Sequence, residues 1–236
     1  MVSSSHFSNR IYTYKNPDST EGIDIPHALR YYTRLRFAYS LLPLLLLSPS
    51  PRVISILSGG QESELDLTDL ELKRDFSTLK AMKNGTTQTT LAFEELAKSY
   101  PSISFIHKYP GFVNTGVIGK LMGTTKGLWS LPATLFNWLV LPVINLFSMG
   151  VEEAGERGLF LATSARYPGL KAEEAGVELP KGVEVVREES GVYRLGPKDD
   201  SVDPTPALLA LRQEGASKTV WETTMAVWER ALGRSE

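Results

Sequence analysis

Apolar residues near the start of the chain recur at three- and four-residue steps. Leu29, Tyr32, Leu35, Tyr39 and Leu42 fall on one side of a helix from about Pro26 to Leu45. Asp24 is placed to cap it, and Pro26 sits in the first turn, where a missing N–H costs little. The sequence "SPSP" stops it. The period then changes. "RVISIL", Arg52 to Leu57, is a continuous run rich in β-branched residues and predicts a strand buried on both faces. Acids alternate with leucines in "ESELDLTDLELKRDF", which reads as a loop. A helix is predicted from about Thr86 to Ser99, then a second buried strand in "SISFIHKY", Ser102 to Tyr109, closed by "PGFVNTG". Strand, helix and strand with short links form a βαβ crossover. That pattern implies a right-handed, doubly wound parallel α/β sheet with helices on both faces.

Between Gly127 and Val151 no residue is charged. The length would span a membrane, but Pro132, Pro142, Asn137 and Asn145 interrupt the run and aromatics are spread through its middle. Two short helices forming an apolar lid over 116–151, or a surface that dips into a membrane, fit better. "VEEAGERGLFLATSARYPG" predicts a helix with Glu152 and Glu153 at its N-terminus and Gly169 past its end. "GVYRLG" predicts a last strand. In the C-terminal helix Val220, Trp221, Met225, Trp228 and Leu232 share one side, a stripe that reads as core packing.

Composition narrows the function classes. With 236 residues, 42% of them hydrophobic, the chain supports one domain over 25–236 behind a polar, Ser-rich leader at 1–24. A net charge of −2 argues against a nucleic-acid partner. The absence of cysteine excludes disulfides and thiolate chemistry. His6, His27 and His107 do not stand at metal-ligand spacing. The polar start is no secretory signal, so the sequon at Asn84 reads as a helix-start turn. The expected location is cytoplasmic, with peripheral membrane contact through 127–151 as the alternative.

"PRVISILSGG", "TLAFEELAK", "ISFIHKYPGFVNTG" and "EEAGERGLFLATS" occur in an order that resembles the short-chain dehydrogenase/reductase family. The likeness is greatest to its fungal branch related to retinol dehydrogenases and covers roughly Glu21 to Glu229. The resemblance implies a partial Rossmann-like fold and a Ser–Tyr–Lys constellation. Its serine falls on Ser58. Its tyrosine and lysine, one helical turn apart, fall on Met82 and Thr86, and an accessory asparagine falls at about Arg30. Of four expected groups Ser58 alone is retained. Lys83 lies one step off the required face and reads as a solvated lysine, while Tyr100 lies at the far end of the helix.

The resemblance also implies an NADP or NAD cofactor. The segment "PGFVNT" would lie along the nicotinamide, with Pro110 and Gly111 turning the chain, the Val113 backbone meeting the carboxamide and the Thr115 hydroxyl reaching the same group or a phosphate. No Gly-rich turn precedes the first long helix. The glycines of "LSGGQ" follow a later strand, so the first three or four strands of a full sheet are expected to be missing, along with the pyrophosphate site. The family reading is therefore an oxidoreductase acting on a carbonyl or alcohol of a lipophilic molecule, in the setting of fungal secondary metabolism. The alternative is a catalytically inactive relative or truncated product, without cofactor, that binds an apolar ligand or partner. An incomplete sheet exposes an apolar edge. By resemblance, a homodimer would form through Pro26–Leu45 and Thr86–Ser99.

Overall fold

The computed structural model describes residues 18–115, 138–139, 148–173 and 176–233. Most of the lid, the first part of the leader and most of the uncharged run lie outside the described residues. Among those that are described, no helix is long and apolar enough to cross a membrane.

Three parallel strands form the sheet: β1 (Arg52–Ile56), β2 (Ser104–Lys108) and β3 (Val192–Leu195), in the order β1-β2-β3. Arg52 stands beside Ser104 and Phe105 beside Val192, which sets the register. A central parallel strand must be covered on both sides. All five residues of β2 are buried. On one face Phe105 and Val192 pack with Leu91, Leu208, Val220 and Trp228. On the other, Ile106, Tyr193 and Leu195 meet Leu161 and Tyr167. The fold is a mixed α/β structure, consistent with a partial Rossmann-like sheet flanked by helices.

The first helical stretch has three parts: α1 (Ile25–His27), a π-helical turn (Ala28–Tyr32) and α2 (Thr33–Leu45). Asp24 caps it as expected, its Oδ1 accepting from the His27 N–H at 2.9 Å. The expected apolar stripe needs correction. At the π turn the Thr33 N–H reaches back five residues to the Ala28 carbonyl. One surplus residue rotates the facing side by about 100°. Tyr31 is consequently buried, while Leu29 is 64% exposed.

β1 also differs from expectation. It is an edge strand, with Val53 to Ser55 half-buried and Ile56 exposed, because no described strand pairs along its outer side. The far side of β3 is closed by an antiparallel bridge from Leu195 to Ser201.

Helix α3 (Thr78–Ser99) starts two turns earlier than the sequence suggests, capped by Ser77, whose Oγ accepts from the Lys80 N–H at 3.1 Å. The sequon at Asn84, expected as a helix-start turn, lies within the helix, and the stem of Arg30 packs over Gly85. Helix α4 (Val151–Thr163) stops short of Gly169, because Ser164 is extended and bridges to Val177. The helices α5 (Pro206–Gln213) and α6 (Ala216–Leu232) follow, and α6 packs along α3.

The tryptophan stripe of α6 is core packing. The Trp228 ring lies 5.8 Å from Trp221 and 5.7 Å from Tyr39. Its Nε1–H donates to the Tyr32 carbonyl at 3.3 Å, and Arg36 stacks over it. Trp228→Ala should cost about 3–5 kcal/mol of folding stability. Urea denaturation followed by circular dichroism would measure this, and a loss under 1 kcal/mol would contradict the packing role.

Candidate functional site

At the C-terminal end of β1 the chain turns through Ser58, Gly59 and Gly60. A β-carbon on Gly59 would stand 1.8 Å from the His107 carbonyl oxygen, so only glycine allows this backbone approach. The Ser58 N–H donates to His107 Nε2 at 3.4 Å. That leaves Nδ1 as the proton-bearing nitrogen, donating to Thr90 Oγ1 at 2.8 Å. The Thr90 hydroxyl donates in turn to Glu62 Oε1 at 2.7 Å. The same carboxylate oxygen accepts from the Gly60 N–H at 3.0 Å. Thr87 holds the next residue, accepting from the Ser63 N–H and donating to the Ser63 carbonyl, both at 2.9 Å. The loop after β1 is thus bolted to α3 by two threonines one turn apart.

This arrangement decides what the glycine turn can do. The Gly60 amide already holds a carboxylate, and Glu62 is buried. A phosphate there would meet a negative charge at close range. The turn does not fit a dinucleotide pyrophosphate.

Of the sequence-predicted residues, Ser58 is half-buried at the end of β1 and contacts His107 through its backbone. Met82 and Thr86 lie inside α3. Met82 is 41% exposed, whereas Thr86 is buried and its hydroxyl donates to the Met82 carbonyl at 3.1 Å. Neither can perform the proton transfer of a Tyr–Lys pair. Arg30 is brought against this part of α3 through Gly85. Lys83 is exposed.

Pro110 to Thr115 leave the C-terminal end of β2. Gly111 adopts φ +69°, with the Pro197 ring against it. The Met149 N–H donates to the Phe112 carbonyl at 2.8 Å and the Asn114 N–H to the Met149 carbonyl at 2.9 Å. Val113 therefore turns its own N–H away from Met149, and no described residue accepts from it. Phe112 beside it is exposed. Thr115 is exposed.

Sequence reasoning missed the network of His107, Thr90 and Glu62. The signal was the approach of "SGG" to "FIHKY", two stretches separated by some fifty residues and joined only by strand register. His27 is likewise buried, its Nε2 3.0 Å from Gln88 Oε1. No group of three metal-ligating side chains occurs among the described residues.

The fold is consistent with a partial Rossmann-like sheet, and sequence comparison places the chain among fungal oxidoreductases. The chain is 40% identical over 224 residues to Oxidoreductase AN1596 of Emericella nidulans, covering 92% of this chain and 65% of that protein. It is 35% identical over 228 residues to Oxidoreductase andH of Emericella variicolor, covering 93% and 65%. Short-chain dehydrogenase/reductase SAT2 of Stachybotrys chartarum is 30% identical over 221 residues, covering 87% and 58%. The chain is homologous to fungal oxidoreductases, a short-chain dehydrogenase/reductase among them, and it spans less than two thirds of the length of each. No family model and no solved structure matches.

Burial pulls the His107 imidazole down from 6.5 to about 3, with the Arg34 and Arg194 charges acting in the same direction. Between those values the unfolded chain binds a proton that the folded chain excludes. Stability is therefore full above pH 6.5 and falls as the pH drops toward 3, by up to about 1.4 kcal/mol per unit. Buried His27 is shifted downward too and adds to the trend. His107→Gln, which does not titrate, should flatten the fall by about one proton when urea midpoints at pH 7 and pH 5 are compared. An unchanged slope would refute the assignment.

Proposed function

We propose that this chain acts in a short-chain-dehydrogenase-like oxidoreductase that uses NADP or NAD on a carbonyl or alcohol of a lipophilic small molecule, of the kind made in fungal secondary metabolism. The observation that supports this reading is the turn after β2. Its open Val113 N–H and exposed Phe112 suit a nicotinamide ring, in a chain 40% identical to a fungal oxidoreductase. When bound, the nicotinamide supplies or accepts the hydride. Val113 orients the ring through its backbone, and Gly111 sets the turn that presents it.

A second reading, a catalytically inactive relative that binds an apolar ligand or partner, is favoured by one feature. Met82 and Thr86 stand where a proton-transfer pair is expected, and the Thr86 hydroxyl is engaged by the helix backbone. Losing such a pair removes roughly 10²–10⁴-fold in rate. Turnover of lipophilic ketones by the chain joined to the part of the Emericella nidulans relative that it does not match, followed as NADPH consumption, separates the two readings. A rate above the protein-free blank supports the oxidoreductase, and none with any member of a broad panel supports the inactive relative.

Two outcomes are expected of the 236-residue chain by itself. NADPH titration followed by fluorescence should show no saturable binding, because the Glu62 carboxylate occupies the Gly60 amide in the glycine turn after β1. Micromolar affinity would place a pyrophosphate site elsewhere. Ser58→Ala should leave any activity nearly unchanged, since Ser58 has no tyrosine to act with. A loss of about a hundredfold or more would mean the site works through other groups.

A further inference from the structure

A groove of about 330 Å³ lies between α2 and β1, a volume that suits a small organic molecule. Its walls include Phe37, Ala38, Leu41, Leu45, Val53 and Phe93. Arg30 and Arg34, one helical turn apart, also line it, and no carboxylate does. Arg52 lines it too, but its guanidinium donates to the Leu161 and Tyr167 carbonyls on the other face of the sheet. From Ile25 to Gln61 the sequence holds four arginines and no Asp or Glu, in a chain whose net charge is −2. This side of the molecule therefore runs against the sign of the whole.

Other arginines of the chain meet acids. Arg157 bonds to Glu153 and Asp199, Arg212 to Glu94 and Arg230 to Glu71. Among the described residues neither Arg30 nor Arg34 has such a partner. Arg34 gives one N–H to the Ile56 carbonyl at 3.3 Å. Burial, and the Arg34 charge one turn on, both hold the Arg30 guanidinium below its ordinary value. Like charges held together in this way are relieved by an anion between them. Arg30 owes its place to the π turn, of which it is the middle residue, and its stem lies against Gly85 of α3. Surplus turns of this kind recur at functional sites.

We propose that this groove binds a lipophilic carboxylic acid. The carboxylate lies between Arg30 and Arg34, whose guanidinium groups offer paired N–H donors to its two oxygens. The carbon chain lies along Phe37, Leu41 and Val53 and takes apolar surface out of water, including that of Phe37, which is 70% exposed. A neutral lipid would leave both charges unmet, and a hydrophilic anion would leave the apolar wall wet. A molecule with a carboxylate at one end of a hydrocarbon body answers both. The site is built from α2, β1 and α3, away from the turn after β2, and it does not rest on the oxidoreductase reading.

Calorimetric titration of the full chain with decanoate and with decan-1-ol tests this, because the two differ at the head and not along the chain. Decanoate should saturate one site and bind at least about tenfold tighter than the alcohol. Added salt should weaken the acid and leave the alcohol unchanged. Arg34 is exposed, so Arg34→Gln should leave the chain folded by circular dichroism while removing most of the preference for the acid. Phe37→Ser should weaken acid and alcohol alike, by about tenfold. Equal affinity for the two, or a preference that survives Arg34→Gln, overturns the proposal. The titration is repeated on the chain joined to the part of the Emericella nidulans relative that it does not match. Binding that persists there supports the site. Binding lost there means that polypeptide fills the groove in the longer protein, and it overturns the proposal equally.

Discussion

A parallel strand hydrogen-bonded on both sides has no face that water may touch, and β2 imposes that requirement on everything around it. Its odd residues call for a cover of one kind and its even residues for another. Phe105 and His107 are closed over by α3, whereas Ser104 and Ile106 are closed by Tyr167 and Leu161. The polar members can be buried because each finds a partner. Ser104 Oγ donates to the Tyr167 carbonyl at 2.7 Å, and Lys108 forms an ion pair with Asp199. The helix α3 then owes its position to β2, and α6 owes its own to α3.

The same demand explains why the end of the sheet is rigid at the place where chemistry is sought. His107 sits in the last turn of the buried strand with no solvent to complete its hydrogen bonds. Thr90 and the Ser58 amide complete them, and Glu62 completes Thr90 in turn. An unsatisfied buried donor costs about 1–3 kcal/mol, so each member holds the next. The chain is incomplete at one point: Glu62 Oε2 and two nitrogens of buried Arg194 have no hydrogen-bond partner among the described residues.

Much of the fold was legible because periodicity and caps are local. Asp24, the two strands of the crossover, the last strand and the stripe of α6 are marked by residues within a few positions of each other. What was not legible depended on distance. The helix was expected from about Thr86 with a helix-start turn at Asn84, and nothing nearby in sequence says that Arg30 packs over Gly85. The reading of "RVISIL" as doubly buried followed from its composition, but whether a strand has a second neighbour is a property of the sheet. At the site the resemblance pointed to Ser58, Met82 and Thr86, which lie at the end of β1 and inside α3. Their surroundings, and the carboxylate lodged against the Gly60 amide, came from three segments meeting.

The surplus residue in the π turn divides the first helical stretch into two independently registered halves. Ahead of it and within it, His27, Tyr31 and Tyr32 are fixed by Gln88, Thr224 and Trp228 of the interior. Behind it, α2 follows the outer margin of the sheet, with Leu35 and Leu42 turned in and Phe37 and Leu44 left out. The π turn thus joins a first half tied to α3 and α6 to a second half that runs along the side of β1 where no described strand pairs.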